Sequence, residues 1–168
     1  MKIRLPVFLW VLSLSLFIAS VLLLGPTLPA RVATHFGSSG HPNGWMSRSS
    51  HLLFFTLFGI GFSSFVIGLC YFVRFFPASL LNVPRAEYWR SSEHYSEACD
   101  YLFHHSFWFG TLATLWLAAF HALIVQANHA VPVALDSTKI AELTAAFLAG
   151  IVLWIVVLYW HFAHPANR

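Results

Sequence analysis

Histidines and carboxylates that could do chemistry form two groups in this sequence. The first group is predicted on the outer side of a membrane and comprises His35, His41, His121, His129 and Asp136. Histidine is a common ligand of zinc and copper, but no pair in this group has the close helical spacing of a metal motif. Three roles are open for the group: a structural hydrogen bond from His35, recognition of a ligand, and metal binding.

The second group is predicted on the inner side of the membrane. Its members are Glu87, Glu93, His94, Glu97, Asp100, His104, His105, His161 and His164. If the third and fourth apolar segments run antiparallel, His104 or His105 comes near His161 or His164. Metal binding or ligation of a haem by two histidines could follow. The alternative is a solvated helix whose carboxylates are offset by nearby arginines.

We expect no tightly bound transition metal at the inner group, and no cofactor. A zinc site usually needs three or four ligands, and helical spacing alone brings only Glu93, Glu97 and His104 to one face. His161 would join them only through a contact between two helices. These four residues are the metal candidates if the expectation is wrong.

Four apolar segments must position both groups, at residues 5–25, 52–76, 106–126 and 143–162. A helix rises about 1.5 Å per residue, so roughly 20 apolar residues cross a hydrocarbon core about 30 Å thick. Hydrophobic residues make up 58% of the chain and charged residues only 9%. We therefore predict an all-α integral membrane protein, a four-helix bundle forming one domain over residues 1–168, in contact with the lipid bilayer.

The distribution of positive charge predicts the orientation in the membrane. If the N-terminus is cytoplasmic, six basic residues lie inside: Lys2, Arg4, Arg74, Arg85, Arg90 and Arg168. Only Arg31, Arg48 and Lys139 then lie outside. This bias favours a plasma (inner) membrane protein with both termini in the cytoplasm. The basic residues form no run, so a nucleic-acid partner is not expected.

Two segments between the apolar blocks have a recognisable character. The outer loop, residues 26–50, is rich in turn-forming residues such as Gly40 and Gly44 and ends near Trp45, so we expect it to be ordered. The inner segment, residues 77–105, has a helical pattern after Pro84 and is predicted as an amphipathic helix at the membrane surface.

Small residues recur every four positions in the third apolar segment, at Gly110, Thr114, Ala118 and Ala122. In lipid, such a seam lets helices approach closely. The seam predicts packing within a compact bundle, with homo-oligomer formation as the alternative.

The outer loop resembles a known bacterial membrane family, called domain of unknown function 1648. The resemblance rests on Leu28-Pro29-Ala30-Arg31-Val32-Ala33-Thr34-His35-Phe36 and on Gly40-His41-Pro42-Asn43-Gly44-Trp45. The inner segment Asn82-Val83-Pro84-Arg85-Ala86-Glu87-Tyr88-Trp89 is similar to a segment of longer members, so the likeness extends over about residues 5–103. The best-known relatives are SdpI-type immunity proteins, which protect a cell from a secreted toxic peptide and can relay its presence to a repressor.

The resemblance and the residue pattern together favour a non-catalytic sensor, immunity or partner-binding protein. A peptide or another membrane protein would bind at the outer loop. The candidate binding residues are His35, His41, Asn43, Trp45, His121, Glu87, Tyr88 and Trp89. The alternative is a small metal- or haem-dependent membrane enzyme that uses the inner histidines. Catalysis has little support, because neither a phosphate-binding glycine loop nor a zinc-protease motif occurs.

Overall fold

The computed structural model describes residues 4–165, which form four long α-helices, one short α-helix, three short 3-10 helices and one two-stranded hairpin. The elements are α1 (Arg4–Leu24), β1 (Arg31–Phe36), β2 (Pro42–Ser47), α2 (Arg48–Phe72), α3 (Ala86–Trp89), α4 (Tyr95–His129) and α5 (Ser137–Ala163). The helices α1, α2, α4 and α5 are each long and apolar enough to cross a membrane. The predicted all-α class is confirmed, and the chain is a multi-pass membrane protein. Lys2 and Arg168, which entered the charge count, lie outside the described residues.

Helix α4 is the centre of the fold. It packs against α1, α2 and α5, whereas α5 has its main contacts with α4 alone. At 35 residues, α4 is about 52 Å long and therefore extends well beyond a 30 Å hydrocarbon core. The lipid-facing side of α5 keeps large apolar side chains exposed, among them Leu148, Val152 and Leu153.

Close approach of the first three long helices depends on two glycines. Gly59 lies directly against the ring of Phe17, and Gly110 lies against Trp10, whose Cδ1 would be 2.9 Å from an added Cβ. The Trp10 indole also donates to Ser63 Oγ at 3.3 Å. Small residues in lipid thus permit the backbone contacts that drive packing.

The predicted seam on α4 faces other helices over only part of its length. Gly110 and Thr114 are buried and Ala118 packs against the Phe17 cluster, but Ala122 is exposed. The reason is geometric: a spacing of four residues on a helix with 3.6 residues per turn drifts about 40° with each step. After three steps the seam has left the buried face.

The outer loop is an ordered antiparallel hairpin in which Arg31 pairs with Ser47 and Phe36 pairs with Pro42. Among the described glycines, only Gly40 has a positive φ, at 79°, which is the conformation that favours glycine in a turn. Throughout, we call the side of the bundle that carries the hairpin the hairpin face, and the other side the opposite face.

The segment between α2 and α4 differs from the predicted continuous amphipathic helix. Before α4 the segment holds only two short 3-10 helices and the four α-helical residues of α3, and residues 95–105 belong to α4. The Ser91 hydroxyl donates to the Tyr88 carbonyl at 2.9 Å. Serine side chains that bond nearby backbone groups compete with helix formation, which accounts for the break.

Candidate functional site

One side chain of α4, that of Asn128, hydrogen-bonds both backbone groups of a residue in β1. The Ala33 amide donates to Asn128 Oδ1 at 2.8 Å, and Asn128 Nδ2 donates to the Ala33 carbonyl at 2.9 Å. Asn128 thus pairs with β1 as a neighbouring strand would. Below this pair, Leu28 and Val32 pack with Ile124 and Val125 of α4. The hairpin is therefore a fixed part of the membrane bundle.

Two further attachments fix the tip and the base of the hairpin. At the tip, the Leu135 amide donates to the Gly40 carbonyl at 2.9 Å, and a Cβ at residue 40 would collide with the Leu135 carbonyl. At the base, the Arg48 guanidinium donates to the carbonyls of Pro26 and Leu28 at 3.1 and 3.0 Å.

A cleft of about 390 Å³ lies between the hairpin and the start of α5. It is lined by Thr34, His35, Phe36, Gly37, Ser38, Gly40, Phe120, Leu135, Ser137 and Ile140. Aromatic and aliphatic side chains thus alternate with hydroxyl groups and one imidazole. Because the hairpin forms one wall and α5 the other, we call this site the hairpin cleft.

The position of His35 is compatible with two of the predicted roles, a structural hydrogen bond and recognition of a ligand. Its Nδ1 donates to Asn43 Oδ1 across the hairpin, which braces β1 against β2, and the residue also lines the cleft. Of the other candidates on the hairpin, His41 is exposed beside the turn. Trp45 is 41% exposed, with the Arg31 guanidinium 5.4 Å from its ring centroid. Neither His41 nor Trp45 lines the cleft.

Asp136 acts as the N-cap of α5. Its carboxylate accepts from the backbone amides of Lys139 and Thr138 at 3.1 and 3.0 Å. The Lys139 ammonium lies 3.6 Å away. The hydrogen bond from the Lys139 amide is the main reason that the pKa of Asp136 is lowered below its ordinary value. This carboxylate therefore fixes the wall of the cleft that α5 provides.

His121, predicted in the outer group, is fully buried beneath the hairpin and stacks on His51 of α2. The ring centroids are 5.6 Å apart with an interplanar angle of 16°, and exposure is 0% for His121 and 1% for His51. The Phe55 ring contacts both imidazoles, at 4.9 and 5.3 Å. Among residues 4–165, neither nitrogen of His121 nor Nε2 of His51 has a hydrogen-bond partner. We call these two residues the buried histidine pair.

Sequence reasoning missed His51 altogether. The residue follows a polar stretch at the start of α2, so it has the appearance of an interfacial residue. Its spacing from the apolar run is the one available signal, since Phe55 and Gly59 follow at intervals of four on the same buried face.

A stack of five rings closes the opposite face and joins α3, α4 and α5. The rings follow the order Trp89, His161, Tyr101, His105 and Trp154. The Trp89 indole donates to the Phe162 carbonyl at 2.9 Å, and the Trp154 indole donates to the His105 carbonyl at 3.0 Å. The Tyr101 ring lies between His105 and His161, so a haem iron does not fit between these two histidines.

The remaining inner candidates are dispersed over the opposite face. Glu87 and Glu93 are exposed, Tyr88 stacks on His94 at 3.9 Å, and Glu97 lies 4.0 Å from His94. His104 is only partly buried, whereas His161 belongs to the ring stack. Within residues 4–165, no three histidine, cysteine, aspartate or glutamate side chains come together as a metal site. The two groups predicted from sequence thus lie at opposite ends of the bundle.

Comparison with known proteins finds a match to one family model. A family model described as Domain of unknown function (DUF1648) matches residues 11–60, which include most of α1, the hairpin and the first half of α2. The predicted resemblance is confirmed over these residues. No curated protein and no solved structure matches the chain.

Proposed function

We propose that this protein is a non-catalytic peptide-binding protein of a bacterial inner membrane, in the manner of SdpI-type sensor or immunity proteins. The observation that carries the proposal is the hairpin cleft, whose two walls are fixed to the membrane helices before any ligand arrives. The bound peptide would be extended and would contain apolar side chains.

The charge distribution supports a cleft that faces the outside of the cell. Among residues 4–165, Arg31, Arg48 and Lys139 are the basic residues of the hairpin face. Among the same residues, the opposite face carries Arg4, Arg74, Arg85 and Arg90. By the positive-inside rule, the opposite face is cytoplasmic and a secreted peptide reaches the cleft directly.

The composition of the cleft supports a peptide rather than a lipid chain. Phe36, Phe120 and Ile140 offer apolar contact, whereas Ser38 and Ser137 offer hydroxyls that can bond a peptide backbone. Binding sites of this kind combine an apolar lining with a few placed polar groups. Asn128 and Leu135 already hold the hairpin in place. The free-energy cost of ordering the hairpin when a peptide binds is therefore small.

A growth assay tests the proposal. A bacterium that is sensitive to the secreted toxic peptide neutralised by SdpI-type proteins would express this protein, and survival would be measured against peptide concentration. Wild type should raise the tolerated concentration. Ser137→Trp, which places an indole in the cleft, should abolish that gain, whereas Thr138→Trp on the neighbouring exposed position should not.

Equal amounts of each variant in the membrane fraction are the control for expression. Absence of protection by the wild type would contradict the immunity function. Protection that survives Ser137→Trp would place the binding site elsewhere.

A further inference from the structure

The buried histidine pair plays no part in the hairpin cleft, yet it lies directly beneath the anchor of the hairpin. His51 is in the first turn of α2, and His121 is on the face of α4 that also carries Asn128. Asn128 follows His121 by seven residues, or about two helical turns. The stacked rings thus join the start of α2 to α4 just below the residue that pairs with β1.

The surroundings of the buried histidine pair are apolar. Both imidazoles are enclosed by Phe55 and other apolar side chains, and an isolated charge in such a site is strongly disfavoured. A second charge on the adjacent ring would add repulsion. Three of the four ring nitrogens have no hydrogen-bond partner among the described residues.

Within the part of the chain that the structure describes, no charged or titratable group on α1, α2, α4 or the hairpin is placed to neutralise a positive charge on the buried histidine pair. On α2, Arg48 lies one turn before His51 and is engaged by backbone carbonyls. On α4, His129 lies at the exposed end beside Thr27. Helix α1 offers only Arg4, at its far end. The hairpin contributes Arg31, His35 and His41, which cannot neutralise a positive charge.

The nearest carboxylates belong to the start of α5. Asp136 is committed to the amides of Thr138 and Lys139, and Glu142 is exposed. The carboxylates of α4, Glu97 and Asp100, are at its other end, about 30 Å or more from His121 along the helix axis.

We propose that the buried histidine pair is a proton-sensitive latch, which in its neutral form holds α2 against α4 and on protonation releases the hairpin. Opening of the contact lets water reach the rings and removes the penalty for charge. Acid therefore favours the open form. This inference does not depend on what the hairpin cleft binds.

The size of the effect follows from the ordinary behaviour of imidazole. An imidazole in water is half protonated near pH 6.5. A histidine that takes a proton only in the open form then multiplies the opening constant by about 30 between pH 7.5 and pH 5.0. Two such histidines multiply it by about 1,000. The latch is complete above about pH 7 and weakens progressively below pH 6.5.

Hydrogen exchange of the full chain in lipid nanodiscs tests the latch. Protection of residues 31–47, corrected for the intrinsic exchange rate at each pH, should fall by about 1,000-fold in the wild type on going from pH 7.5 to pH 5.0. His51→Phe and His121→Phe keep an aromatic ring, and each should reduce that fall by about 30-fold. His41→Gln, on the exposed turn, should respond as the wild type does.

A second measurement needs no variant. In protein labelled with ¹⁵N-histidine, the imidazolium signals of the buried pair should appear over the pH range in which the hairpin loses protection. Unchanged protection at pH 5.0 would overturn the proposal. So would an equal loss in the double variant of His51→Phe and His121→Phe, or a loss of protection without the imidazolium signals.

Discussion

Removal of the Asn128 side chain is the sharpest test of how the hairpin is held. In Asn128→Ala, both the amide and the carbonyl of Ala33 lose their partner, and Ala33 is 0% exposed. A buried backbone group without a partner costs about 1–3 kcal/mol, which gives about 2–6 kcal/mol for the two groups. Water that enters the truncated site recovers part of this cost.

We therefore expect Asn128→Ala to lower the free energy of hairpin docking by about 3 kcal/mol, equivalent to about 150-fold in the opening constant. Exchange of the amides in β1, followed by mass spectrometry in nanodiscs at constant pH, measures this constant directly. Gln126→Ala is the matched control, since Gln126 is exposed and accepts only a 3.4 Å contact from Lys139. Its effect should stay below about 0.5 kcal/mol.

A protection loss of less than about threefold in Asn128→Ala would refute the reasoning, because the hairpin would then be held by its other contacts. A similar loss in both variants would show that the end of α4 is generally unstable. In neither case would the amide pairing between Asn128 and β1 determine the position of the hairpin.

Two further predictions concern packing and capping. Gly59→Ala should destabilise the protein by about 1–3 kcal/mol, because the added methyl group overlaps with Phe17. Gly61 has open space around it, so Gly61→Ala should be neutral or stabilising. Equal melting temperatures of the two variants would contradict this prediction. Asp136→Ala should lower the melting temperature at pH 7, because the Lys139 amide holds the pKa of Asp136 below its ordinary value. That contribution is present above about pH 4 and is lost as the pH falls through the folded-state pKa, so a difference that persists unchanged in acid would be evidence against it.

The membrane helices could be predicted from the sequence because their length and apolarity are local properties. The hairpin could be predicted only as an ordered loop. Turn residues such as Gly40 are visible in the sequence, but the strands are short and β1 depends on Asn128, which is 95 residues away. No pattern within the loop reports that partner.

The candidate sites were less accessible to sequence reasoning, for a physical reason. His51 is buried because α2 packs against both α1 and α4, and the fit of Gly59 to the Phe17 ring of α1 is part of that packing. Such a contact between two helices leaves no periodic pattern in the sequence from which it could be predicted. On the opposite face, proximity of His105 and His161 could be expected from antiparallel helices, but not the Tyr101 ring between them. The roles of the predicted binding residues stay predictions.

The distance in sequence between the hairpin and its anchor has a consequence for biosynthesis. Ala33 is synthesised 95 residues before Asn128. At about 5–20 residues per second, the hairpin waits roughly 5–20 s before the end of α4 is made. During that interval α1 and α2 can insert as a pair, but the polar backbone of Ala33 has no partner within the nascent chain's own helices. The hairpin can therefore dock only after the third transmembrane helix has been inserted, so the assembly of this face is a late event in the maturation of the protein.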